Sequence, residues 1–136
     1  MLRNRSIPAC TVIPVLAYPA LEEAITFLCD TFDFTLRLRI ADHRAQLNVG
    51  DAAVVVIRKE GLGHHYDDSI MIRVENVDRH YENARLRGAR IVTPPADYPY
   101  GERQYSVQDL VGREWTFSQS IRDVHPDEWG GTAHEI

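Results

Sequence analysis

Several side chains that could bind a metal or act as acids and bases lie close together near the middle of the chain. His64 and His65 are followed by Asp67 and Asp68, and zinc and other divalent metals accept imidazole and carboxylate donors together. Adjacent residues of an extended chain point in opposite directions, however, so two neighbouring histidines converge on one ion only at a special turn. We therefore expect this segment to be a solvated loop.

The remaining histidines and the cysteines show no spacing typical of a nucleophilic enzyme. His43 follows Asp42 in a predicted hairpin turn, and His80 lies on a predicted helix. The sequence contains no Gly-x-Ser-x-Gly elbow and no phosphate-binding loop. Cys10 and Cys29 fit neither a disulfide framework nor a Cys-x-x-Cys metal site. Nucleophilic and phosphate chemistry therefore find no support.

Two arginines alternate with apolar residues between Thr35 and Ile40. Strict alternation predicts a strand with one buried face, so if the apolar residues pack on a helix, Arg37 and Arg39 point the other way. The same alternation places further residues on that face: Ile13, Val15, Val56, Arg58, Ser69, Met71, Arg73, Thr116 and Ser118. Arginine binds carboxylates and phosphates through paired hydrogen bonds, which favours an anion pocket. The alternative, in which the arginines reach water or pair with Glu60, Glu75 and Glu102, stays open.

Glu102 and Tyr105 lie where a glycine-containing loop enters a predicted strand. A buried glutamate can act as a general base; the other interpretation is that Glu102 pairs with an arginine and shapes the loop. We expect Tyr105 on the ligand face, although its alternation with Val107 could equally place it against a helix.

The elements that would position these residues occur twice. Gln46-Leu47-Asn48-Val49-Gly50-Asp51 is echoed half a chain length later by Gln104-Tyr105-Ser106-Val107-Gln108-Asp109. A period near half the chain indicates a duplicated module. Two such modules usually face each other, so we expect a ligand in a concave cleft between them.

Each half is predicted to follow the order β-α-β-β-β. In the first half the strands are Val12 to Leu16, Thr35 to Ile40, Gln46 to Val49 and Ala53 to Ile57, with a helix from Ala20 to Thr31. In the second half they are Ser69 to Val74, Arg90 to Val92, Gln104 to Val107 and Glu114 to Ser118, with a helix between Asn76 and Gly88. Prolines predict an irregular excursion from Thr93 to Gly101. We predict an α+β fold in a single domain over residues 1–136, with module 12–60, linker 61–68, module 69–120 and tail 121–136.

Composition and charge narrow the class of partner. The net charge of −5 and a pI near 5.6 argue against nucleic acid. No segment reaches the length of a membrane span, and prolines interrupt the basic start of the chain, which makes it a poor signal peptide. We therefore expect a soluble cytoplasmic protein whose partner is a small molecule, with no nucleic acid and no membrane.

Four segments carry a family resemblance: residues 20–28, residues 74–78, Tyr100-Gly101-Glu102-Arg103 and residues 107–117. Their order and spacing over Val12 to Ser120 resemble the vicinal oxygen chelate superfamily, which includes glyoxalase I, extradiol dioxygenases, fosfomycin-resistance enzymes and bleomycin-resistance proteins. The sequence departs from the family pattern where Leu110 replaces a proline and Arg113 a histidine. The resemblance implies two modules with curved mixed sheets.

The resemblance also implies metal ligands on the first and fourth strands of each module, drawn from His, Glu and Gln. In this sequence those positions fall on Ile13, Val56, Ser69 and Thr116. Alkyl groups and hydroxyls cannot replace such a donor set. We therefore expect no metal and no other cofactor.

The leading hypothesis is a metal-independent protein, similar to the bleomycin-resistance branch, that sequesters or carries an organic ligand. The net negative charge favours a basic ligand, whereas the arginines of the predicted ligand face favour an anion. Both kinds of ligand stay open. The metal-free bleomycin-resistance relatives pair their modules across two chains, which implies a homodimer. The expected ligand-binding residues are Arg37, Arg39, Arg73, Tyr105, Thr116, Ser118, Ile13, Val56, Ser69 and Met71.

Two alternatives remain. One is a glyoxalase-like lyase or isomerase that uses acid–base residues, or an unusual metal site built from His43, His64, His65, Glu75 or Glu102. The other is a protein whose cleft is filled and which acts through its dimer surface or its tail.

Overall fold

The computed structural model describes residues 2–63 and 66–135. The chain divides into two compact units, residues 1–64 and residues 65–136. Each unit contains a four-stranded mixed sheet and one long helix in the order β-α-β-β-β, so the predicted α+β fold of two repeated modules is confirmed. His64 and His65 lie outside the described residues.

The first unit consists of β1 (Val15–Tyr18), α1 (Leu21–Phe32), β2 (Thr35–Ile40), β3 (Arg44–Val49) and β4 (Ala52–Arg58). The strand order is β1-β4-β3-β2, with β1 parallel to β4 and the other pairs antiparallel. One face of α1 is apolar and buried, through Leu21, Ala24, Ile25, Leu28 and Phe32. Each of the larger side chains among them contributes about 1.5–3 kcal/mol when it is removed from water, and this drives the helix onto the sheet.

Strand β1 begins three residues later than predicted. The carbonyl oxygen of Pro14 accepts a hydrogen bond from the amide of Val55 (2.9 Å), so the chain already runs beside β4 at this point. Proline has no N–H to donate to the ladder, and regular pairing therefore starts at Val15.

The second unit repeats this order with β5 (Ser69–Arg73), α2 (Val77–Leu86), β6 (Arg90–Tyr98), β7 (Glu102–Gln108) and β8 (Glu114–Ser120). The strand order is β5-β8-β7-β6, which is the same topology as in the first unit. As predicted, Asn76 caps α2: its side-chain oxygen accepts a hydrogen bond from the amide of Arg79 at 3.0 Å. Such a cap contributes about 1 kcal/mol.

The predicted irregular excursion from Thr93 to Gly101 is wrong, because β6 continues to Tyr98. The pairing of β6 with β7 shifts register between Ile91 and Thr93 and again between Thr93 and Ala96. Pro94 and Pro95 fall within the second shift. They are tolerated because β6 is an edge strand, where a missing N–H does not break a ladder on the outer side.

The segment after β8, for which the sequence predicts no clear core face, packs against the turn between β6 and β7. The carbonyl oxygen of Gly101 accepts a hydrogen bond from the amide of Ile121 (2.9 Å), and the ring of Trp129 meets that of Tyr100 edge-on, with centroids 5.4 Å apart. Gly101 has φ +83°, and a Cβ there would lie 2.5 Å from the carbonyl oxygen of Arg122. Only glycine therefore allows this close approach.

Neither long helix in the described part of the chain has the length and hydropathy of a membrane-spanning segment.

Candidate ligand-binding face

The sheet of the second unit has one face against α2 and one face turned away from it. His80 of α2 stacks on Phe117, with ring centroids 4.0 Å apart, and Phe117 pairs with Tyr105 and Ile72 across the sheet. Successive strand residues point to opposite faces. The face away from α2, which we call the polar face, therefore carries Ser69, Met71, Arg73, Glu102, Gln104, Ser106, Thr116 and Ser118. Five of these were predicted to share a face: Ser69, Met71, Arg73, Thr116 and Ser118.

Three hydrogen bonds link side chains at one end of the polar face. The Tyr100 hydroxyl donates to Oε1 of Gln104 (3.0 Å), and Nε2 of Gln104 donates to Oγ of Ser118 (3.0 Å). The Ser118 hydroxyl in turn donates to Oε1 of Glu102 (2.7 Å). Gln104 and Ser118 are 7% and 2% exposed, so burial and hydrogen bonding together hold these groups in one geometry.

The polar face is more accessible away from these hydrogen bonds, above all along the edge strand β5. The hydroxyls of Ser106 and Thr116 lie 2.8 Å apart, and Met71 is 62% exposed. Arg73 is exposed and pairs in register with Ser118. Within residues 2–63 and 66–135, Arg73 forms no ion pair. This part of the face offers hydroxyls, a thioether and an unpaired guanidinium to a bound molecule.

A cavity of about 530 Å³ adjoins the hydrogen-bonded end of the polar face and is lined by Tyr100, Glu102 and residues 120–124. Burial, and after it the nearby Tyr98 and Glu102, raises the pKa of Tyr100 above its usual value. The phenol therefore remains protonated and keeps its role as a hydrogen-bond donor.

Tyr105, which was expected to contact the ligand, lies on the other face of the sheet. Its hydroxyl is 2.6 Å from Nδ1 of His80, and its ring meets that of Tyr81 edge-on. The side chain is fully buried, and burial raises its pKa. The alternation with Val107 thus places Tyr105 against α2, where it supports the core and not the polar face.

In the first unit, the prediction that Arg37 and Arg39 share a face is wrong. The pairing of β2 with β3 shifts register between Leu36 and Leu38, so Arg37 is the extra residue of a β-bulge. Beyond the bulge the alternation is reversed. Arg39 forms an ion pair with Glu22 of α1, whereas Arg37 donates to the Gln46 side chain on the face away from α1.

Val56 also differs from its expected position. Val56 is 0% exposed and pairs with Ala45 and Leu16; Ala45 in turn pairs with Arg39, which contacts α1. Val56 therefore lies on the helix side of its sheet. The face predicted for Val56 is taken by its neighbour Val55, which pairs with Val15 and Gln46. Ile13 precedes β1 and is half-buried.

The face of the first sheet away from α1 carries a segment of the same chain. The carbonyl oxygen of Ser6 accepts a hydrogen bond from Nε2 of Gln46 (2.9 Å), and that of Arg5 accepts one from Arg37 (2.8 Å). Pro8, two residues after Ser6, is buried. Part of the surface that was predicted to contact a ligand is thus occupied by the N-terminal segment.

The donor set does not fit a divalent metal at the positions implied by the resemblance. Ile13 and Val56 present alkyl groups, and Ser69 and Thr116 present single hydroxyls. Over residues 2–63 and 66–135, no group of three or more His, Cys, Asp or Glu side chains could hold a metal ion. His43, Glu75 and Glu102 therefore form no such group with described residues, and the alternative through His64 and His65 lies outside them.

Sequence reasoning missed Gln104, Ser106 and Tyr100 as members of this site. The echo of Gln46 by Gln104 marked a repeated position but gave no sign of what either glutamine contacts. Their place beside Ser118 and Thr116 follows from the register of β7 on β8, which pairs Gln104 with Ser118 and Ser106 with Thr116.

Solved structures resemble this architecture over most of the chain. TioX from Micromonospora sp. ML1 superposes with a TM-score of 0.73 at 32% sequence identity, over 83% of this chain and 100% of TioX. FosX, a genomically encoded fosfomycin resistance protein from Listeria monocytogenes, superposes with a TM-score of 0.69 at 13% identity, over 83% of this chain and 94% of FosX. The latter likeness concerns the fold alone.

Similarity in sequence alone is more local. An uncharacterised protein of Mycobacterium bovis is 35% identical over 60 residues, which are 44% of this chain and 40% of that protein. The chain thus matches about two fifths of the length of this curated relative. Residues 10–117, most of the chain, match the family model of the glyoxalase/bleomycin resistance protein/dioxygenase superfamily. This match and the likeness to TioX show that the chain belongs to that superfamily.

Proposed function

We propose that this protein binds a small organic molecule on the polar face of its second unit, without a metal, and so sequesters or carries it. The observation that supports this most is the chain of hydrogen bonds from Tyr100 through Gln104 and Ser118 to Glu102, beside a cavity of about 530 Å³. Ligand sites of this size usually combine apolar walls with a few fixed polar groups. Groups that are already ordered lose little entropy when they bind.

Metal independence is proposed because the positions that carry ligands in metal-dependent relatives hold alkyl groups and hydroxyls here. Binding without a metal can rest on hydrogen bonds alone, and the side chains of the polar face offer donors and acceptors for them. The proposed ligand-contacting residues are Ser69, Met71, Arg73, Thr116 and Ser118, together with Glu102 and Gln104.

A thermal-shift screen of a small-molecule library tests the binding function. A ligand that binds only the folded protein raises its melting temperature by mass action, so we expect at least one compound to do so with chelator present. Metal analysis of protein purified without chelator should find far less than one equivalent of Zn, Ni, Mn or Fe. A stoichiometric metal whose removal abolishes binding would contradict the proposal.

A pair of matched variants locates the site. Thr116→Val removes a hydroxyl from the polar face and should weaken binding of a library hit about three- to tenfold, equivalent to one hydrogen bond. Thr35→Val makes the same change in β2 of the first unit, where Thr35 accepts a hydrogen bond from Asn48 (3.3 Å). Its effect on affinity should be negligible. Equal losses in the two variants would place the ligand elsewhere.

The proposal includes a homodimer. Edge strands β1 and β5 expose Val15 and Met71, which are 54% and 62% exposed, and exposed apolar groups on edge strands favour association. We expect light scattering at micromolar concentration to give twice the mass of one chain, and Met71→Glu to shift the equilibrium towards monomer. A wild-type protein that is monomeric under these conditions would refute the dimer.

An acid–base enzyme of the lyase or isomerase type is the second candidate. The observation that favours it is Glu102, whose carboxylate lines the cavity and accepts a hydrogen bond from Ser118. Such a carboxylate can remove a proton from carbon next to a carbonyl group. If it does so, a carbonyl-containing hit should exchange that hydrogen for deuterium in heavy water, and Glu102→Gln should abolish the exchange. Binding without exchange would favour the carrier function.

A further inference from the structure

The net negative charge of the protein comes from one of its two units. Residues 1–64 carry seven acidic and seven basic side chains, whereas residues 65–136 carry thirteen acidic and eight basic ones, so the net charge of −5 comes from the second unit alone. A charge of one sign concentrated in a single unit attracts ligands of the opposite sign to it.

Two of these carboxylates line the cavity beside the polar face. Glu102 accepts a hydrogen bond from Ser118, and Asp123 lies in the segment that follows β8. Among the described residues, neither of them has an ion-pair partner. Arg122 also lines the cavity, but its guanidinium donates to the carbonyl oxygen of Pro99 (3.2 Å). The lining thus holds two carboxylates and one guanidinium that is already engaged.

Besides these charged residues and Ser120, the cavity is lined by one aromatic ring and two aliphatic side chains. Tyr100 stacks on Tyr98, with centroids 5.5 Å apart, and is met edge-on by Trp129. Ile121 and Val124 are the aliphatic residues of the lining. Aromatic rings attract cations through the negative charge of their faces. A wall of this kind therefore suits an apolar body that carries a positive charge.

We infer that this cavity binds the protonated amine of an organic cation, with Glu102 and Asp123 as its counter-ions and the Tyr100 ring as its apolar support. This inference rests on the proposed function, because the cavity continues the polar face. It also bears on the question left open by the sequence: two carboxylates against one guanidinium give the cavity a net negative charge, and Arg73 lies outside its lining.

Three probes of the same shape and different charge test the inference. Binding of 2-phenylethylamine, 2-phenylethanol and 3-phenylpropionate to the ¹⁵N-labelled protein is followed by NMR at neutral pH and low ionic strength. We expect the amine to bind most tightly, to shift the amide signals of residues 120–124, and to weaken as salt is added.

Charge-neutralising variants supply the matched controls. Glu102→Gln and Asp123→Asn should each weaken amine binding, the former by about tenfold, because a hydrogen bond to a charged group is lost. Glu82→Gln removes the same charge from the exposed side of α2, where Glu82 pairs with Arg85, and should leave the affinity unchanged. Asp123→Asn keeps the test valid if loss of the Ser118 contact unfolds the Glu102 variant.

The outcomes separate this inference from the proposed function. Amine binding no tighter than that of the alcohol, or binding unaffected by Glu102→Gln and Asp123→Asn, would overturn the cation site. Preferential binding of 3-phenylpropionate that is lost in Arg73→Gln would overturn it too, while supporting a ligand on the polar face. If a library hit binds the polar face and 2-phenylethylamine does not bind, the cation site is likewise overturned while the proposed function is supported.

Discussion

Gln46 and Gln104 occupy the same position in the two units and are both buried, yet their side chains have different hydrogen-bond partners. Gln46 hydrogen-bonds to Arg37 and to the carbonyl oxygen of Ser6, which belongs to the protein's own N-terminal segment. Gln104 hydrogen-bonds to Tyr100 and Ser118, next to a cavity. The repeated module has thus kept its topology, and its second copy presents an ordered polar surface beside a cavity.

The comparison indicates that the fold and the site depend on different residues. Helix contacts and strand pairing are alike in the two units, so they set the topology. What distinguishes the units is the N-terminal segment on the first sheet and the packing of residues 121–129 in the second. The following predictions test that distinction, from the largest expected effect to the smallest.

Asp51 and Asp109 are the last residues of the two repeated segments, and replacing them should change the free energy of unfolding by very different amounts. The buried Asp109 carboxylate accepts hydrogen bonds from the indole of Trp115 (2.9 Å) and from the amides of Val111 and Arg113 (3.0 Å each). Asp109→Ala leaves these donors unsatisfied and should cost about 3–5 kcal/mol in free energy of unfolding. Asp51 is exposed, and Asp51→Ala should cost under about 0.5 kcal/mol.

Urea denaturation of both variants measures this difference. Similar losses of free energy in the two variants would mean that the turns of the repeat contribute alike, and the asymmetry of the units would not extend to their turns.

Alanine substitutions at two glycines with positive φ distinguish the cost of backbone strain from the cost of a close contact. Gly50→Ala places a Cβ in open space, so only the left-handed backbone (φ +58°) is unfavourable, at about 1–2 kcal/mol. At Gly101 the Cβ would also meet Arg122 and Val124, at 2.5 and 2.9 Å, and the cost should rise to about 2–4 kcal/mol. Limited proteolysis should then cut the released residues 121–135 in Gly101→Ala alone. Resistance to cleavage there would show that the close approach is unimportant.

Tyr105 is buried in the second unit where the first unit has Leu47, and this predicts a pH effect. Tyr105→Phe removes the hydroxyl next to His80 and should cost about 1–2 kcal/mol at neutral pH. Burial raises the pKa of Tyr105, so above about pH 10 the unfolded chain loses a proton that the folded protein keeps. Stability therefore falls as the pH rises beyond this value, and it should fall less steeply in Tyr105→Phe. Parallel pH profiles of the two proteins would contradict the burial of this hydroxyl.

The arginines of the two sheets provide the mildest test. Arg39 pairs with Glu22 on the helix side of the first sheet, so Arg39→Ala should cost about 0.5 kcal/mol and leave ligand affinity unchanged. Arg73→Ala should leave stability unchanged within about 0.5 kcal/mol but raise the affinity for an amine about twofold, because a like charge is removed. Altered affinity in Arg39→Ala would place the ligand near the first unit.

Much of the fold could be predicted from local sequence signals. The alternation in β5 and β8 identified the polar face because these strands pair without a register shift. The cap at Asn76 and the apolar stripe of α1 placed both helices within a few residues of their ends. Regular elements follow the periodicity of their own side chains, so these positions needed no knowledge of tertiary contacts.

The rest depends on contacts that no local pattern records. The bulge at Arg37 falls in an evenly alternating strand without glycine or proline, so nothing predicted the reversal that separates Arg37 from Arg39. The N-terminal segment binds the first sheet through carbonyl oxygens, and every residue type has these. Pro94 and Pro95 argue against a strand unless β6 is known to be at an edge.

The most direct test of the central claim is an NMR titration of the ¹⁵N-labelled protein with the tightest binder from the thermal-shift screen. If the second unit carries the site, the largest shifts should fall on residues 102–106, 116–118 and 120–124. The amides of Ser6, Arg37 and Gln46 should hardly move. Largest shifts at Ser6, Arg37 and Gln46 would show that the first unit binds the ligand, and would contradict the assignment of the site to the polar face.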